Sequence, residues 1–188
     1  MNKLRAFGAL LITAVIVAIP THAQEKQSAP KPAVGRAQAV LEAWNDIGRK
    51  LTTMAEDFPE DKYDFKPTPA QKTFAERLIH VAAVNYFFTN PATGQKAPPE
   101  EDPKREQFKT KADVAAYVKK SFADGAAAIK AKGDKGMSDL VVDAFANQQV
   151  RVSDLAYGLI EHSGEIYGQL VVYYRVSGLV PPESRPKK

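Results

Sequence analysis

Apolar residues recur along this chain in steps of three and four, and those steps mark out four helices. The first is predicted over residues 34–57, where Val40, Trp44, Ile47, Leu51 and Met54 form one narrow seam, the stripe of a helix that packs in a bundle. Phe58-Pro59 ends it, because the residue before a proline is pushed out of the helical region. A second helix starts at Thr73, which makes a capping box with Glu76 three residues on, and runs to Thr89. Phe74, Leu78, Val81 and Phe88 form one of its stripes; His80, Val84 and Phe87 form the adjoining one. A third begins at Thr110, with Asp113 in the acid position of the box, and runs to Ala131. Val114, Val118, Phe122 and Ile129 face inward, and the alanines 126–128 permit close approach.

The fourth helix has the clearest limits. Ser153 is placed to cap it and Asp154 to favour its first turn through the helix dipole. Gly178 suits the left-handed residue past its end, Leu179 is the hydrophobic partner that folds back, and Pro181-Pro182 forbid continuation. Leu155, Leu159, His162, Ile166, Gln169 and Tyr173 fall on one face. A plain core helix would have leucines where this one has a histidine and a glutamine.

The connections suggest how the helices are arranged. Phe58, Tyr63 and Phe65 alternate through the loop before helix two and are expected to fold over one end of the core; ligand binding is their other use. Residues 90–107 make the longest connection, with four prolines and many charges. Antiparallel neighbours need only a few linking residues, whereas this segment can travel the length of a helix of about 30 Å. Helix three is therefore predicted to run parallel to helix two, which gives an all-α four-helix bundle in up-down-down-up order. The competing arrangement is a surface insertion between antiparallel helices. Gly133 to Gly136 is a turn, and residues 137–152, apolar at both spacings, are expected to form a short helix and an irregular approach to helix four.

Composition adds limits. Lys3 and Arg5 precede an uncharged apolar run over residues 6–19, Pro20 breaks it, and Thr21-His22-Ala23 is a small-residue cleavage site. Residues 1–23 are thus expected to be a cleavable signal peptide. The run is short for a membrane span, which needs about 20 apolar residues; a retained anchor is the alternative. Cleavage implies a periplasmic or secreted protein with no membrane span. Residues 24–33 are expected to be a disordered spacer and residues 34–188 one domain. With no cysteine in the chain, disulfides and lipoprotein anchoring are excluded. The net charge of +4 falls by two with the signal segment, too mild a balance to imply nucleic-acid binding.

Three stretches resemble a known family. The run H-x-x-x-x-Y-G-Q-L-V-V-Y-Y-R-x-x-G-L-V-P-P-E-S-R, His162 to Arg185, is similar to the last helix of the DinB-like superfamily, the bundle proteins related to DinB and YfiT. FPEDKYDFKPTP, Phe58 to Pro69, resembles the loop after that family's first helix, and TFAERLIHVAAVN, Thr73 to Asn85, its second helix with its histidine. The resemblance covers nearly all of residues 24–188 and implies the same crossover between helices two and three. It also implies a metal triad, one histidine on helix two and a His-x-x-x-His pair on the last helix. His80 and His162 match the first two positions, but the third is Ile166, whose aliphatic side chain cannot ligate a metal.

Two functions are open to the histidine pair. With Glu165, three residues after His162, it would give a two-histidine-one-carboxylate set for zinc, nickel or manganese, and the protein would be a metal-dependent hydrolase or transferase relative. Without a third ligand, it is a buried pair in a bundle that has lost its metal and binds a small molecule or a protein partner. Glu165 has the ordinary alternative of a solvated glutamate, and Glu76, mainly a cap, is a candidate to orient His80. Gln169 is expected to hydrogen-bond into the pocket, Gly168 to mark a close packing contact, and Arg175 and Arg185 to tie down the C-terminal tail. A homodimer through exposed bundle faces is compatible with either function. Other chemistries lack their residues: there is no Glu-x-x-His pair for a di-iron site, no cysteine for haem attachment, no P-loop, no G-x-G-x-x-G and no G-x-S-x-G.

Overall fold

A computed structural model describes residues 33–186. The expected signal segment, and all of the expected spacer except Ala33, lie outside the described residues. Five helices and one hairpin follow in order: α1 (Arg36–Asp57), α2 (Phe74–Val84), α3 (Tyr86–Ala92), α4 (Lys111–Gly136), β1 (Leu140–Asp143), β2 (Gln148–Arg151) and α5 (Val152–Val176). α2 and α3 together are the second helix expected from sequence, stepped at Asn85, so the bundle has four helical arms.

The order of the arms is up-down-down-up. The start of α1 meets the end of α4, where Asp134 Oδ1 accepts the Ala37 amide at 2.7 Å. The end of α1 meets the start of α4, where Lys111 Nζ donates to the Phe58 carbonyl at 2.8 Å. Tyr173 near the end of α5 donates its hydroxyl to the Lys72 carbonyl just before α2. Tyr174 donates to the Met54 carbonyl near the end of α1. α2 and α4 therefore start at the same end, and the long connection carries the chain back along the bundle.

Most of the start and stop signals form as expected. Thr73 Oγ1 accepts from the Glu76 amide at 3.0 Å while the Glu76 carboxylate accepts the Thr73 amide at 2.6 Å; Thr110 and Asp113 repeat this at 3.1 and 2.8 Å. Gly178 is left-handed at φ 73°, and the Leu179 amide reaches back to the Tyr174 carbonyl at 2.9 Å, closing α5 with a Schellman turn. Phe58 and Tyr63 are buried over the end of the core, Phe58 stacking on Phe74 at 3.8 Å between centroids. Arg185 clamps the tail to α1 through a bidentate pair with Asp57 at 2.7 and 2.6 Å.

Six expectations need correction. Residues 137–152 contain an antiparallel hairpin, Leu140 opposite Arg151 and Asp143 opposite Gln148, in place of a short helix. Val141, Val142 and Val150 favour the pleated backbone, and Asn147 tolerates the left-handed φ of 50° that the turn requires. The second helix is broken at Asn85, a fully buried amide that donates to Ser121 Oγ at 3.1 Å. α5 starts two residues early, at Val152 with Arg151 in the cap position, and Ser153 does not cap it. Gln169 is exposed, because the buried stripe of α5 drifts through Leu159, Ser163, Ile166, Leu170 and Tyr173. Gly168 has open space around it; the close approach is at Gly125, where a Cβ would lie 2.1 Å from the Trp44 ring. That ring is fully buried and donates its indole N–H to the Phe122 carbonyl at 2.8 Å, which seats α1 on α4. Arg175 is exposed and forms no ion pair among the described residues.

Candidate functional site

His80 lies two turns into α2 and His162 two to three turns into α5, and the bundle brings the imidazoles to 5.2 Å between ring centroids at 74°. Both stand at the edge of the core rather than in it: their side chains are 13% and 30% exposed. The buried neighbour of His162 on α5 is Ile166, 2% exposed.

The crossover loop orients His80. Asp102 Oδ1 lies 2.9 Å from His80 Nδ1 and 2.6 Å from Lys72 Nζ. An ionised carboxylate only accepts, so His80 Nδ1 carries a proton and donates it to Asp102. Burial pushes the Asp102 carboxyl up, but the Lys72 ammonium and His80 outweigh it and hold the group below the usual carboxylate range. Glu76 is committed to its cap and takes no part. Burial, and then the neighbouring His80, push His162 below its ordinary value, against the opposite pull of Glu165 and Glu101. His162 is therefore neutral at pH 7. Its Nε2 is buried with no hydrogen-bond partner in the protein, an arrangement that costs on the order of 1–3 kcal/mol until something satisfies it.

A cavity of about 430 Å³ opens beside the pair. His80 and Val84 of α2 line it, with Leu155, Leu159 and His162 of α5. The hairpin supplies Phe145 and Val150, and Gly158 leaves one wall without a side chain. Three carboxylates also line it, Glu101, Asp143 and Asp154, each from a different element. The site is thus mostly apolar with a few polar groups, the usual make-up of a small-molecule pocket.

The sequence-predicted metal set is brought together only in part. His80 and His162 meet. Glu165 is 66% exposed, with its Oε2 3.8 Å from His162 Nδ1, beyond hydrogen-bond distance. Among the described residues no group of three His, Cys, Asp or Glu side chains is gathered to hold a metal ion. The buried Nε2 of His162 and the carboxylate behind His80 are in keeping with metal chemistry, but this donor set does not fit a three-ligand centre, and Ile166 fills the third position. Sequence reasoning missed Asp102 and Glu101, which lie in an aperiodic loop, and Asp143 and Phe145, which fall in the segment expected to be a short helix and an irregular approach. The β-branched pair Val141-Val142, which favours strand, was the available signal for the last two.

Comparison with known proteins points the same way as the fold. A family profile described as the DinB superfamily matches residues 25–170. The chain is similar to a DinB-like protein from Bacillus cereus of known crystal structure, with a TM-score of 0.65, 16% identity, and coverage of 77% of this chain and 95% of that one. It is also similar to a DinB-like protein from Bacillus subtilis, with a TM-score of 0.61, 17% identity, and coverage of 79% and 99%. No curated protein matches.

Proposed function

The chain belongs to the DinB superfamily, and from that membership we propose that it is an exported binding protein, holding a small organic molecule in the pocket beside His80 and His162 without a catalytic metal. The observation that carries this is the pocket's composition. It is a cavity of about 430 Å³ with apolar walls, and the family's third ligand position is occupied by the buried Ile166. The rings of His80 and His162, which both line the cavity, serve as the fixed polar points that orient the ligand. Export rests on the N-terminal pattern, Lys3 and Arg5 followed by the apolar run to Ile19 and a small-residue site at Ala23. A second use of the same residues, weak binding of zinc, nickel or manganese by the two imidazoles with Glu165, is favoured by the orphaned His162 nitrogen and by Asp102 behind His80.

Gly158 provides the test. It lines the cavity, and a Cβ added there meets nothing within 4 Å, so Gly158→Phe has room to start toward the pocket and should fill it while leaving the core alone. The neutral dye N-phenyl-1-naphthylamine should brighten on binding the purified protein, with or without EDTA, and Gly158→Phe should weaken binding at least ~10-fold, the loss of about 1.4 kcal/mol. Failure of the dye to bind, or loss of binding on chelation, would overturn the proposal.

A further inference from the structure

We propose that the ligand of this pocket is an amphiphilic cation, an ammonium or related group carried on a hydrocarbon or aromatic body; this rests on the small-molecule function proposed above. The lining has three carboxylates and no lysine or arginine, in a protein whose overall charge is positive. The three come from separate parts of the chain: Glu101 from the crossover loop, Asp143 from the end of β1, and Asp154 from the first turn of α5.

None of the three is neutralised by a close cation. Asp154 has only a loose pair with Arg151 at 3.7 Å, both side chains more than half exposed. Asp143 shares the inward face of β1 with Val141. Its Oδ1 accepts the Phe145 amide at 2.9 Å, which leaves Oδ2 free. Glu101 enters no ion pair among the described residues. Arg77 is close enough for its charge to act on His162, but it does not line the cavity. Carboxylates facing an apolar space attract an opposite charge more strongly than they would in bulk water.

The size and shape of the cation follow from the rest of the lining. A bare metal ion does not satisfy these groups, since no three of them gather at metal-ligand distance among the described residues. A body that spans them must itself be organic, and Val84, Val150, Leu155 and Leu159 offer it an apolar bed. Phe145 is 48% exposed and stacks on Phe87 at 4.7 Å between centroids, which fixes its ring as an aromatic wall for a cation. His80 suits the same ligand: Asp102 engages its Nδ1 at 2.9 Å, which leaves the other edge of the ring to the cavity it lines.

The test is displacement of the bound neutral dye by three compounds of one shape: 2-phenylethylammonium, 2-phenylethanol and 3-phenylpropanoate. The ammonium should compete at least ~10-fold better than the alcohol, and the carboxylate should not compete. Added salt should weaken the ammonium alone. Glu101→Gln and Asp143→Asn should each weaken it several-fold and leave the alcohol unchanged; the Asn side-chain oxygen can still accept the Phe145 amide. If the alcohol or the carboxylate competes as well as the ammonium, or if the ammonium does not displace the dye, the cation proposal is overturned while the pocket stands. If the dye itself does not bind, the underlying function fails first.

Discussion

His162 sits where burial and the neighbouring His80 act in the same direction, both disfavouring its charged form. Its folded pKa lies below the ordinary 6.5, so the stability linked to it is fully present above pH 6.5. As pH falls from 6.5 toward the folded value, the unfolded chain takes up a proton that the folded chain refuses, and stability is lost. The slope for one proton is at most about 1.4 kcal/mol per pH unit. Denaturant midpoints measured between pH 7 and 5 should fall in the native protein and fall less in His162→Gln. An unchanged slope in the variant would mean that His162 is not the group responsible. At this scale the sequence was informative about identity and poor about company. Helical spacing put His80 and His162 toward one interior. It could not find Asp102, because a residue in an aperiodic loop carries no face or period to place it.

At the scale of elements, the amphipathic helices and their termini were legible because each is encoded locally. Two capping boxes and the Gly178 turn formed where the residues stood. The hairpin was not legible, because a segment with apolar residues at both periods is decided by what it packs on. Here it covers the pocket end of α5. Gly168 was misjudged for a related reason. A glycine inside a helix suggests close packing, yet Gly164 and Gly168 face open space, and both lie within α5. Neither has a conformational need for glycine, since the left-handed glycines are Gly94, Gly133 and Gly178. Gly164→Ala and Gly168→Ala should therefore each stabilise the protein by about 0.5–1 kcal/mol, read as a rise in denaturant midpoint. A fall would show that a surface outside this chain packs on them.

At the scale of the molecule, the long crossover explains both the topology and the site. By returning residues 93–110 along the bundle, it makes α4 parallel to α2, and it delivers Glu101 and Asp102 to the imidazoles from outside the helical core. The length of this loop announced the topology from sequence; its contribution to the pocket needed coordinates. The central claim is that the bundle keeps the family's pocket but lacks its third metal ligand. Calorimetric titration of the protein with zinc, beside Ile166→His and His162→Ala, tests it most directly. Weak binding by the native protein, no tighter than about 10 µM, is expected, with a gain in Ile166→His larger than the roughly 10–100-fold that a mere partner behind a metal ligand typically contributes. Binding well below 1 µM by the native protein, abolished in His162→Ala, would contradict it.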